Sequence, residues 1–172
     1  MTDYEKEYQK SPDVCGPPFP EILAFFESFE GSGVRVLDLG CGQGRDALPI
    51  ARMGHSVYGV DISKTGVSQM LKAAKRESLD VEGEVSDISD FTPSESFDAV
   101  ILDRVLHMLD GDGVRVGILD MASGAILEGG CIAIADTPKN MRMIESYFES
   151  RASRWERIER KGNILFMRKV SK

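Results

Sequence analysis

At 172 residues the chain has room for one ordinary domain, and its 42% hydrophobic and 28% charged content is that of a globular protein. No apolar run approaches the roughly 20 residues that a membrane span requires, so a transmembrane reading is excluded. The 21 Lys and Arg face 28 Asp and Glu, and a formal charge of -7 repels a phosphate backbone, which sets nucleic acid aside as a partner.

The chain opens on MTDYEKEYQK, in which acids and bases alternate without an apolar core or a small-residue cleavage site. A secretory signal is therefore not expected, and the cytoplasm is the expected location. Residues 1–20 hold four of the seven prolines and read as an arm that folds over the domain or moves. An apolar-faced helix follows at EILAFFESF. Then short apolar runs alternate with amphipathic stretches: VRVLDL (34–39), a helix to about Met53, HSVYGV (55–60), a helix over 63–78, VEGEVSDI (81–88), FDAVILD (97–103), a helix within 113–127, and GCIAIAD (130–136). These are five strands with helical crossovers, hence a parallel sheet. After a short helix near 140–150, RWERIER and NILFMRK flank Lys161 and Gly162 as a hairpin, an antiparallel pair that closes the sheet. One domain spanning 1–172 is predicted, with an arm and helix over 1–30 covering the site and an α/β core over 31–172.

In open parallel sheets ligands bind beyond the carboxyl ends of the strands, so residues that end strands are the candidates. His55 starts a strand and reads as a packing or surface residue. His107 follows the fourth strand and reads either as a base or orienter on the working rim or as a packing histidine in LHML. Cys15, Cys41 and Cys131 are odd in number, with no CxxC, and read as reduced thiols; no metal site is expected. Arg151, Arg154, Arg157, Arg160 and Lys161 are interrupted by Glu156 and Glu159 and read as a solvated face.

The glycine-rich turn after the first strand is LDLGCGQGRD, with Gly40, Gly42 and Gly44 as GxGxG and Arg45 where a dinucleotide fingerprint would place its third glycine. Asp38, two residues before Gly40, points a negative charge toward the site, which disfavours a pyrophosphate and favours a cation. S-adenosylmethionine carries an ammonium and a sulfonium and no phosphate. Asp46 as N-cap places Pro49 at the third helical position, where its missing N–H costs nothing. The backbone N–H groups of the turn are then expected to be available for a carboxylate. Asp61, about 20 residues beyond Gly40, suits both ribose hydroxyls, followed by Ile62 and Ser63. Asp87 suits an adenine amino group, with Ile62 and Ile88 on the faces of the base.

Together VLDLGCGQG, YGVDIS, VSDI and FDAVILDRVLHML resemble the successive motifs of class I S-adenosylmethionine-dependent methyltransferases. The GRD and GHSVYGVDIS stretches are most similar to the small-molecule methyltransferases of the tellurite-resistance and thiopurine type, and YEKEYQKSPD resembles their tyrosine-containing arm. The resemblance implies a Rossmann-like three-layer sandwich with seven strands in the order 3-2-1-4-5-7-6, the last antiparallel. It implies S-adenosyl-L-methionine as cofactor, with Asp38, Gly40 and Gly42 around its methionine portion, Asp61 on the ribose, Asp87 with Ile88 at the adenine, and the backbone around Asp103 near the amine; Cys41, Ile62 and Ser63 complete the expected cofactor-binding set.

Arg45 and Arg104 are candidates for an anionic substrate, Arg45 alternatively for an ion pair with Asp46, and Tyr8 for the substrate side of the arm. Cys41 reads as packing under the turn. The sulfonium makes the methyl group electrophilic by itself, so a thiol or chalcogen oxyanion acceptor needs no base, whereas a phenol or amine gains from one, for which His107 is the candidate. The sequence predicts methyl transfer to a small molecule by a monomer or homodimer. The alternatives are a non-catalytic S-adenosylmethionine-binding protein and, behind it, an NAD(P)-dependent oxidoreductase.

Overall fold

The structure, a computed structural model, describes residues 4–29 and 33–171. The leader reading of residues 1–3 and the arm–core boundary at 30–32 therefore lie outside the described residues. Two compact units divide the chain at residue 91.

In the first unit, β1 (Arg35–Leu39), β2 (Ser56–Asp61) and β3 (Val81–Val85) run parallel, with Leu39 beside Val60 and Asp61 beside Val85. Four consecutive buried residues, Val36 to Leu39, mark β1 as a strand covered on both faces. Four helices accompany these strands: α1 (Tyr4–Lys10), α2 (Pro20–Glu27), α3 (Ala47–Arg52) and α4 (Lys64–Glu77). Helix α3 begins after Asp46 and carries Pro49 at its third position, as predicted, but the Asp46 carboxylate does not cap it. That carboxylate instead accepts from the guanidinium of Arg45 at 3.1 Å. Helix α4 starts at Ser63, whose hydroxyl accepts from the Gly66 N–H at 3.0 Å. Its buried positions Val67, Met70 and Ala74 recur at helical spacing and form the stripe that packs on β2 and β3.

The second unit holds β4 (Phe97–Asp103), β5 (Ile126–Ala135), β6 (Trp155–Lys161) and β7 (Ile164–Lys169), with α5 (Asp112–Ala125), α6 (Pro138–Glu149) and a 3-10 turn at Leu106–Met108. Strand β4 pairs parallel with β5, β7 antiparallel with β5, and β6 antiparallel with β7 through a turn at Gly162. The buried ammonium of Lys169 donates to the carbonyls of Ser123 and Ile126 at 3.1 and 2.6 Å, tying the end of α5 and the start of β5 to β7. Phe148 meets Trp155 edge to face at 5.0 Å, joining α6 to the hairpin.

Within the first unit the strand order is β3-β2-β1 and within the second β4-β5-β7-β6, each as predicted. Three details differ from the sequence reading. Strand β3 stops at Val85, because Asp87 folds back to accept the Ser89 N–H at 2.8 Å in a side-chain-closed turn. Strand β5 starts at Ile126, four residues before the predicted start. The arm contains a helix, α1, which at seven residues is too short to be stable alone and is held by its tertiary contacts. No helix among the described residues is long and apolar enough to cross a membrane.

Candidate functional site

At the carboxyl ends of the first unit's strands, the chain leaves β1 through a turn whose glycines 40, 42 and 44 all have positive φ, between 51° and 84°. The turn is already bonded to its own protein. The N–H groups of Gly40 and Cys41 donate to the Val60 carbonyl at 2.7 and 3.1 Å, and that of Gly44 to the Cys41 carbonyl at 2.8 Å. The Gly42 N–H donates to Oδ2 of Asp61 at 2.9 Å. Four of the N–H groups expected to await a ligand carboxylate are thus committed, because strand β2 and its terminal acid lie directly beside the turn.

Asp61 ends β2 as predicted and is the hub of this corner: its other oxygen accepts from the Ser63 N–H at 2.8 Å. Burial pushes its carboxyl above the usual value, against the two N–H groups that favour the carboxylate. Each oxygen receives one hydrogen bond and keeps acceptor capacity for a second. Beside it, Ile62 is 68% exposed and Val85, its strand neighbour's last residue, is 50% exposed. Large aliphatic side chains left in solvent at adjoining strand ends suit a flat apolar ligand; Val85 was not anticipated. Ile88, expected beside it, is buried.

Cys41 lies buried under the turn, its sulfur 2.8 Å from where a Cβ on Gly59 would stand, and burial with Asp38 and Asp61 nearby pushes its thiol well up. It packs under the turn, against Gly59 of β2. Asp38 is buried in β1. The Ser63 hydroxyl both caps α4 and donates to Glu5, which commits it to structure.

The arm is fastened across this corner. Glu5 accepts from the hydroxyls of Ser63 and Thr65, each at 2.5 Å, and from the Thr65 N–H at 3.1 Å. These bonds, that of Ser63 foremost, pull its carboxyl from the ordinary 4.5 down to about 2. Tyr8 is buried with its hydroxyl 2.5 Å from the point where a Cβ on Gly42 would sit, and 3.6 Å from the Cys15 sulfur. Gln69 donates to the Tyr8 carbonyl, and Gln43 of the glycine turn bonds the backbone of Ser11 and Val14. Glu5 was missed in the sequence because its partners lie 58 and 60 residues away.

A carboxyl whose folded value is depressed stabilises the fold above its unfolded value and loses that effect as pH falls through the folded one. Glu5→Gln is therefore expected to loosen the arm near neutral pH, where trypsin should cut after Lys6 and Lys10 several-fold faster. Its excess over wild type should shrink as pH drops from about 4.5 toward 2, a range followed by a pH-tolerant protease.

In the second unit, buried Asp103 ends β4 and Arg104 follows it at φ 58°, a left-handed conformation that costs a non-glycine residue about 1 kcal/mol or more. The Arg104 N–H donates to the Ala135 carbonyl at 2.7 Å, its guanidinium stands 3.5 Å from Asp103, and the side chain is 43% exposed. The 3-10 turn then presents His107, whose N–H donates to Oδ2 of Asp136 at 3.1 Å, with Nδ1 3.6 Å from the same oxygen. His55 is buried with Nε2 3.3 Å from the Phe26 carbonyl, the packing role that its place at the start of β2 predicts. A cleft of about 380 Å³ bounded by residues 92–96 and the end of α5 contains none of the predicted site residues.

Residues 30–167 match the family model described as a methyltransferase domain. The chain is 38% identical over 99 residues to a 2-heptyl-1-hydroxyquinolin-4(1H)-one methyltransferase of Mycobacteroides abscessus, covering 56% of this chain and 43% of that protein. It is 30% identical over 106 residues to a ubiquinone biosynthesis O-methyltransferase of Bradyrhizobium diazoefficiens, covering 61% and 40%. The chain thus spans about two-fifths of the length of these curated relatives. In structure it is similar to TehB from Haemophilus influenzae, with a TM-score of 0.77 at 19% identity over 96% of this chain and 67% of that one. It is also similar to the N-methyltransferase NodS from Bradyrhizobium japonicum in complex with S-adenosyl-L-homocysteine, at 0.74 and 15% over 98% and 99%.

Proposed function

The chain belongs to the methyltransferase-domain family of the class I, S-adenosylmethionine-dependent type, and from that premise we propose that it transfers a methyl group from S-adenosylmethionine to a small-molecule acceptor. The observation that carries the reading is Asp61, a carboxylate fixed at the end of β2 by two backbone N–H groups beside the glycine turn. A carboxylate so held accepts from ribose hydroxyls without first being ordered. Ile62 and Val85 then flank the base, Asp87 receives its amino group, and Asp38 and Asp103 serve the cationic methionine end. A sulfonium supplies a methyl group that is electrophilic without further activation. The chain's own task is to hold a nucleophile in line with it and keep water away.

Arg45 favours this reading over a dinucleotide one. It stands in place of the third glycine with its guanidinium on Asp46, so the neighbouring helix start offers no bare anion seat. For the acceptor side we assign Arg104, held half-exposed in a strained conformation, together with His107; Tyr8 closes the arm over the glycine turn. The names of the curated relatives, a hydroxyquinolone methyltransferase and a ubiquinone biosynthesis O-methyltransferase, support small acceptors, which suits the short connecting segments among the described residues.

The decisive measurement is a thermal shift with S-adenosylhomocysteine and with NAD(H). At about 100 times its dissociation constant the homocysteine nucleoside should add about 2.7 kcal/mol, a rise of roughly 5 to 10 °C. A rise with the dinucleotide alone would overturn the reading. Release of S-adenosylhomocysteine across thiols, chalcogen oxyanions, phenols and amines then separates an enzyme from a protein that only holds the nucleoside.

A further inference from the structure

Two backbone N–H groups hold the Asp61 carboxylate, those of Gly42 and Ser63, and the arm touches both of the residues that supply them. At the first, Tyr8 is wedged between the glycine turn and α4. Its hydroxyl lies 2.5 Å from where a Cβ on Gly42 would stand, and a ring carbon lies 3.0 Å from where one on Gly66 would stand. At the second, Glu5 accepts from the Ser63 hydroxyl, and it also accepts from the N–H and hydroxyl of Thr65. The carboxylate of the arm thus serves the first turn of α4, whose N–H groups have no partner within the helix. The Ser63 hydroxyl donates to Glu5 and accepts from the Gly66 N–H, so it is fixed from both sides. Gln43, next to Gly42, completes the fastening: it donates to the Ser11 carbonyl and accepts from the Val14 N–H. When the arm leaves, the turn and the start of α4 each lose a support, and the two donors of Asp61 are no longer held in register.

We propose that Glu5 and Tyr8 are positioning residues for Asp61, so that docking of the arm and binding of a ribose to that carboxylate strengthen each other. The inference rests on the methyl-transfer reading above, which supplies the nucleoside, and adds a coupling inside its site. Such coupling is reciprocal: the factor by which a docked arm tightens the nucleoside is the factor by which the nucleoside holds the arm down. Where the arm opens and closes faster than a protease cuts it, the cleavage rate measures the open population. The protection that saturating nucleoside gives the wild-type arm therefore equals the affinity lost by a variant whose arm is fully undocked.

The test uses the full chain with a trace of trypsin at neutral pH, cleavage after Lys6 and Lys10 being followed by mass, and calorimetry for affinity. The ligands are S-adenosylhomocysteine and adenosine, each at saturation. S-adenosylhomocysteine should slow cleavage of the wild-type arm about fivefold or more. Adenosine should protect to a similar degree, because it carries the same ribose. Glu5→Lys sets an ammonium against two hydroxyls and an N–H, and should undock the arm. Its affinity for S-adenosylhomocysteine should fall by the wild-type protection factor, to within about twofold. Thr65→Val removes one hydroxyl from the other side of the latch at nearly constant shape, and should lose part of the same factor. Neither side chain belongs to the buried core, so both variants should still unfold cooperatively. Cleavage unchanged by saturating S-adenosylhomocysteine, or full affinity in both variants, would overturn the coupling and leave the methyl-transfer reading intact. Adenosine that fails to bind, or binds without protecting, overturns it as well, since either result moves the coupling to the methionine end of the ligand. A chain that binds no S-adenosylhomocysteine overturns both.

Discussion

Asp61→Ala is expected to raise the dissociation constant for S-adenosylhomocysteine well over tenfold, measured by calorimetry. Two charge-assisted hydrogen bonds to ribose hydroxyls are worth roughly 1.5 to 3 kcal/mol each, and about 1.4 kcal/mol is already a factor of ten. The structure adds a second route to the same loss. The carboxylate also holds the N–H groups of Gly42 and Ser63, so its removal unlatches the glycine turn from the start of α4. Asp61→Asn separates the two effects: its side-chain oxygen still accepts from one N–H, but its amide nitrogen opposes the other and the charge is gone. Acid should act in the same direction as the substitution. Burial raises this carboxyl, so affinity should begin to fall at a higher pH than an ordinary aspartate would set, as protonation removes the acceptor. Affinity unchanged in Asp61→Ala would place the ribose elsewhere.

Gly66→Ala is expected to destabilise the protein, against the usual sense of a glycine-to-alanine change inside a helix. Helix propensity favours alanine by about 1 kcal/mol. At Gly66, however, a Cβ would stand 2.9 Å from the Gly42 carbonyl oxygen and 3.0 Å from its carbon, and backbone that is hydrogen-bonded into the turn cannot step aside. Overpacking of this kind costs about 3 kcal/mol at the upper end, leaving a net loss near 2 kcal/mol and a fall in Tm of about 4 to 8 °C. Because the turn itself is what gets pushed, the stabilisation by S-adenosylhomocysteine should also largely disappear. Gly117→Ala in α5 is the control. A Cβ there meets nothing within 4 Å, so the ordinary propensity gain should appear and Tm should rise slightly. A Gly66→Ala protein as stable as Gly117→Ala would show that α4 and the turn do not touch so closely.

What the sequence discloses, and where it stops, follows the range of each interaction. The strands were legible because parallel strands covered on both faces are written as continuous apolar runs, and VRVLDL and FDAVILD are such runs. Asp61 was legible because its distance from the glycine turn is set by one βαβ unit. The capping of α3 by Asp46 was legible in position but not in chemistry. Its carboxylate was claimed by the residue next to it, Arg45, a competition between two local bonds that no spacing decides. Three of the turn's N–H groups, those of Gly40, Cys41 and Gly42, were misread for the opposite reason: their acceptors, Val60 and Asp61, are near in space and some twenty residues off in sequence. Glu5 lies beyond sequence reasoning altogether. A glutamate in a charged decapeptide is unremarkable until its partners, Ser63 and Thr65, are brought to it.

The fastening of the arm has a bearing on how members of such a family could exchange parts. Residues 5, 8 and 11 of the arm meet residue 63, which caps α4, residues 65 and 69 within it, and residue 43 of the glycine turn. Each of these contacts is specific in shape as well as in charge, since the pocket for the Tyr8 ring exists only while positions 42 and 66 lack side chains. An arm grafted from another protein would therefore bring its own acceptor preferences only if the first two turns of α4 came with it. The smallest inheritable unit at this end of the molecule is thus a cassette of three distant stretches, and neither the arm nor the helix can drift alone.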